Sequence, residues 1–336
     1  LYLPYKVASV EGLMHGLYLL WWVQEKQMSP AVVATVLAAG DLALMGLELP
    51  TGWFADRFGH RASLMVGSLV QVMGMLWCWL GEGVSGLVIA SLLVALGDGF
   101  RSGADQAFLY RTCLALECED DFQKIEARAE AVALSALVLL VLLGGVIVHT
   151  AGFVMGWFAE TMLCFLGFAI ACAMEEPQTP ADRKGEQNPR HDGTPIRYSR
   201  LAVSIMPAAL LGGAASAASF LAQTTGTKSP ANVTVLVATL TAAEAVGSAL
   251  ASRLPPASRR DQICLAGFGS ILFIIAVALP ATLPLIALAL GLLVGRATAS
   301  RSRHSAIGCR QPTRASRVGG QRVRHGGQHD CLAAGG

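Results

Sequence analysis

Long apolar runs separated by short charged turns make up most of this chain. A hydrocarbon core of about 30 Å is crossed by roughly 20 residues of α-helix. Ten runs meet that length, near residues 7–23, 30–51, 62–81, 84–110, 131–149, 152–174, 201–223, 230–250, 262–279 and 281–296. Runs this long, without the alternation of a half-buried strand, predict an all-α polytopic membrane protein. Between the sixth and seventh runs, residues 175–200 are rich in proline, charge and polar side chains. That composition cannot bury a core and reads as a linker. The predicted organisation is a six-helix bundle over 1–174, a linker over 175–200, a partial bundle of about four helices over 201–296, and a tail over 297–336.

The basic residues alternate from turn to turn. Arg57 and Arg61, then Arg111, Lys124 and Arg128, then Arg183, Lys184, Arg190, Arg197 and Arg200, then Arg253, Arg259 and Arg260 fall on one side. The opposite turns carry only Lys26 and Lys228. Basic loops are retained in the cytoplasm, which predicts a plasma-membrane protein with a cytoplasmic N-terminus. Composition agrees with the segment reading. Hydrophobic residues are 54% and charged ones 14% of 336 residues, against about 25% charged in a soluble domain.

The eight cysteines are scattered without metal-ligand spacing, so no metal site is expected. Nucleotide, metalloprotease and hydrolase motifs are absent from the sequence. An enzyme, a cofactor and a nucleic-acid partner are therefore not expected.

Between the second and third runs stands Gly52-Trp53-Phe54-Ala55-Asp56-Arg57-Phe58-Gly59-His60-Arg61, preceded by Glu48-Leu49-Pro50-Thr51. This stretch resembles the signature loop of the major facilitator superfamily, with His60 replacing one basic residue. Its lead-in is similar to the Glu-x-Pro-Thr-Gly of one bacterial group. Phe100 to Ala107 resembles that group's second signature, with Arg111 where an acid is expected. The two halves also echo one another, because Glu48 and Ala55-Asp56-Arg57 match Glu244 and Ala251-Ser252-Arg253 at equal spacing. A parallel repeat of a six-helix unit is the economical reading.

The resemblance implies a fold of two helical bundles and a secondary transporter acting by alternating access. Gly52, Asp56, Arg57, Gly59 and Arg61 would form a conformational latch. Glycine at 52 would admit a neighbouring helix, and glycine at 59 a tight turn.

Ionisable residues inside a bilayer cost about 2.5–3.5 kcal/mol each on insertion scales, and several occur here. Glu11 and His15 are spaced one helical turn apart. Asp41 lies about 16 Å from Pro30 at 1.5 Å per residue, near the midplane. Asp98, Arg101 and Asp105 follow at i, i+3 and i+7, where Arg101 could neutralise either acid. Glu11, Asp41, Asp98, Arg101 and Asp105 are the candidate coupling or substrate-cavity residues. Glu160 and Glu244 are single acids, ranked lower. Paired glycines at 144–145 and 212–213 predict close helix packing.

After residue 296 the composition turns to Arg, Gly, His and Ser. A disordered basic tail is expected, and displacement of the reading frame explains its composition best. The functional expectation is a monomeric, proton-coupled transporter of a small molecule in the lipid bilayer, with efflux preferred. The competing expectation is a non-transporting remnant or sensor lacking the last two helices.

Overall fold

The computed structural model describes residues 1–178 and 230–251, and every regular element among them is helical. The predicted runs at 201–223, 262–279 and 281–296, the tail, and all but the first residues of the linker lie outside the described residues.

The chain opens with α1 (Tyr2–Ala8), an irregular stretch, α2 (Tyr18–Leu20) and a π-turn (Trp21–Glu25). Then come α3 (Pro30–Phe58), α4 (His60–Leu80), α5 (Gly83–Ser102), α6 (Ala104–Ala115), a 3-10 turn (Glu119–Asp121), α7 (Phe122–Ala173) and α8 (Pro230–Ala251). Helices α3, α4, α5 with α6, and α7 are long and apolar enough to cross a membrane.

Local chemistry explains the boundaries. Ser29 caps α3 by accepting from the Val32 amide at 3.4 Å, and Pro30 occupies the first turn, where no N–H is needed. Pro50 interrupts the hydrogen-bond ladder inside α3, and the next residue, Thr51, donates its hydroxyl to the Leu47 carbonyl at 2.8 Å. Gly59, at φ +98°, turns the chain from α3 into α4, a conformation that penalises any side chain. Gly152, at φ +83°, divides α7 into two lengths that correspond to the fifth and sixth runs.

The first run departs from expectation. A continuous helix over 7–23 is predicted, yet the backbone leaves helical geometry after Ala8 and regains it only at Tyr18. Non-helical backbone at membrane depth is tolerated where protein or a cavity covers it. Here it is covered: Leu13, Met14 and Leu17 are buried. Gly12 lies against the Leu140 side chain and Gly144 directly against the Leu13 backbone. The absent side chain at Gly144 lets α7 approach the break. Its neighbour Gly145 meets Thr234 of α8, so this glycine pair does mark close packing. The pair at 212–213 is outside the described residues.

Helix α4 packs against α5 and α7, while α3 lies on α5 and α8 on α7. The principal core gathers Trp21, Trp22, Leu87, Val141, Trp157 and Val237. It surrounds the second half of the broken segment.

Candidate functional site

A cavity of about 210 Å³ opens beside the broken segment. Glu11, Met14, His15 and Tyr18 line it from the first run, Gly40 and Asp41 from α3, Met75 from α4, Ser91 and Asp98 from α5, and Trp157 and Glu160 from α7. Three of the five sequence-derived cavity candidates, Glu11, Asp41 and Asp98, share this wall. Arg101 joins them through ion pairs.

Arg101 Nη2 lies 2.7 Å from Asp98 Oδ1 and 3.0 Å from Glu11 Oε1. The i, i+3 pair with Asp98 is local to α5. Glu11, by contrast, finds its cation on another helix. Fully buried Gln71 of α4 also donates its side-chain amide to Glu11 Oε1. Because the backbone is unwound between them, Glu11 and His15 are not related by a helical turn.

The trio 98, 101 and 105 is also divided. The helix breaks at Gly103, and Asp105 at the start of α6 pairs with Lys6 at 2.6 Å. Lys6 in turn reaches Glu130 at 3.3 Å. Arg101 therefore does not neutralise Asp105, which belongs to a separate network tying α1 to α6 and α7.

Glu160 was ranked low on sequence and has a central position. It is 1% exposed, and its Oε2 accepts from the Met14 amide at 2.9 Å, with the Leu13 amide beside it. Its Oε1 has no partner among the described residues, and neither has Trp157 Nε1 on the preceding turn. Tyr18 and Trp21 meet the Trp157 ring edge-on, at centroid separations of 5.8 and 6.0 Å. No local sequence signal marks Glu160, because its partner is a backbone amide nearly 150 positions away. The same holds for Gln71.

At the turn between α3 and α4, the described contacts centre on Glu176. The Glu176 carboxylate accepts from the backbone amides of His60 at 3.2 Å and Arg61 at 2.7 Å. Arg61 Nη2 donates to the Cys172 carbonyl at 2.8 Å. Glu176 thus fills the place of an N-cap for α4, which Gly59 has no side chain to fill. Asp56 and Arg57 are exposed. A side chain added at Gly52 would meet nothing within 4 Å among the described residues, so no described helix makes the expected close approach. Glu244 has no described side chain.

No family model matches the sequence, and no curated protein does. Among solved structures the chain is similar to the crystal structure of a D-xylose-proton symporter, at 16% identity and a TM-score of 0.56. The match covers 89% of this chain and 77% of that one. The fold is all-α, with several helices long and apolar enough to cross a membrane, and it shares the architecture of that symporter. At this identity the likeness describes architecture.

Proposed function

We propose that this chain works as a secondary transporter, moving a small molecule by alternating access of two bundles, 1–174 and 201–296, joined by the linker 175–200. One observation carries the reading. Four carboxyls, Glu11, Asp41, Asp98 and Glu160, surround one cavity beside a break in a spanning segment, with Arg101 reaching two of them. Discontinuous spans at mid-depth supply backbone groups for substrate and ion binding in transporters. Carboxyls in excess of the guanidinium call for protons or a cationic group as balance, because isolated charges at this depth are costly. That balance supports proton coupling and a cationic or amphiphilic compound, with efflux as the preferred direction. The similar structure being a proton symporter supports the reading at the level of fold.

The test is transport by the full chain reconstituted in vesicles loaded with a pH-sensitive dye. Pentoses and organic amines are added in turn under an imposed pH gradient. Compound-dependent proton movement that Asp41→Asn abolishes is the expected result. Absence of any such movement across both panels, from correctly folded protein, overturns the proposal.

A further inference from the structure

The cavity wall contains two buried polar atoms that the described protein leaves unpaired, Glu160 Oε1 and Trp157 Nε1. They are three residues apart on α7, which places them on one helix face, and both residues line the cavity. A buried acceptor without a partner is costly, more so when charged. Native structures keep such groups where something else completes them. The other oxygen of the same carboxylate is already engaged. It holds the Met14 amide, in the stretch between Ala8 and Tyr18 where the first span is unwound.

We propose that Glu160 is a dual binding and positioning residue: Oε2 holds the break in the first span through the Met14 amide, and Oε1 receives an N–H of a protonated organic amine in the cavity. This rests on the transporter reading and names the substrate class. Two features of the wall fit such a ligand. Tyr18 and Trp157 supply aromatic surface against which a cationic body is stabilised. Asp41 adds a further carboxyl on the α3 side. Gln71 and Arg101, by contrast, are committed to Glu11 and Asp98, whereas Glu160, which lines the cavity, keeps one buried oxygen without a partner among the described residues. Because one carboxylate serves both the ligand and the break, an amine arriving at Oε1 alters the group that fixes the backbone at Met14. Binding and the geometry of the first span are then linked through a single side chain.

The experiment compares N-benzyldimethylammonium with N-benzyltrimethylammonium, two cations of equal charge that differ in one N–H. Binding to the purified full chain in detergent is read by thermal shift and tryptophan fluorescence. A hydrogen bond to a charged acceptor predicts about tenfold tighter binding of the N–H cation by the wild type. Amide exchange over residues 9–17 should slow when it binds. Gln can present its carbonyl to the Met14 amide or to the ligand, but not to both. Glu160→Gln should therefore bring the two affinities within about twofold of each other, or speed exchange at residues 13 and 14 by about tenfold. Equal affinities in the wild type, no binding of either cation, or a Glu160→Gln protein that keeps both the preference and the slow exchange overturns the proposal. The wild-type comparison stands even where a substitution prevents folding. Binding is read without transport, so failure of the transporter reading and failure of this one are separate results.

Discussion

Arg101 of α5 and Glu11 of the unwound first segment form an ion pair at 3.0 Å, although 90 positions separate them. The same guanidinium holds Asp98 at 2.7 Å. One cation thus joins α5 to the break, while Gln71 from α4 secures the same Glu11 oxygen.

Removing that cation should destabilise the bundle strongly. Arg101→Met leaves two part-buried acids without their cation, so the loss should approach but not reach the roughly 3–5 kcal/mol of a fully buried pair. Chemical unfolding in detergent should show the loss. Adding Glu11→Gln and Asp98→Asn to Arg101→Met should recover a large part of it. A single substitution with unchanged stability would mean that water, not Arg101, compensates these carboxyls.

Asp41 and Asp56 should separate in function. Both are exposed, but Asp41 borders the cavity whereas Asp56 lies in the last turn of α3, before the turn into α4. Asp41→Asn is expected to abolish proton-coupled transport while the protein remains folded and inserted. Asp56→Asn is expected to retain binding and to shift the balance of conformations, measured by cysteine labelling on the two faces. Transport by Asp41→Asn with an unaltered pH dependence would make Asp41 structural.

The Glu176 contact gives a smaller, local expectation. Glu176→Ala removes the acceptor for the His60 and Arg61 amides at the start of α4. Loss of a helix cap costs about 1 kcal/mol. Faster hydrogen exchange confined to the first turn of α4 is the expected signature, and exchange unchanged there would contradict it.

Close packing at Gly144 is testable by volume. A side chain there would collide with the Leu13 backbone, so Gly144→Val should displace the break and cost about 1–3 kcal/mol through overpacking. Gly52→Ala, where the described residues leave open space, serves as the comparison and should change stability little. Equal effects from both would mean that Gly144 is not a contact point.

Orientation follows from the basic turns. Cysteines placed in residues 52–61 and 175–200 should both be labelled from the cytoplasmic side. Labelling of the two from opposite sides would break the count of spans between them.

The described spans after the first were legible in sequence because their signal is one-dimensional. About 20 consecutive apolar residues say helix in a bilayer wherever their neighbours lie, and α3, α4, α5 and α7 match their predicted runs to within loose boundaries. The turn at Gly59 was legible for the same reason, since only its own backbone decides it. What each buried charge touches was not. Spacing suggested Arg101 with Asp105, but a break at Gly103 and the approach of α1 gave Asp105 to Lys6. Hydropathy suggested a continuous first helix. Carboxylate-to-amide bonding from Glu160 and the backbone contact at Gly144 accompany an unwound one instead. Sequence by itself determined the solvent, the helices and which charges are expensive. Tertiary structure decided their partners, because an ion pair or an orphaned oxygen depends on distances between helices that no spacing along one chain contains.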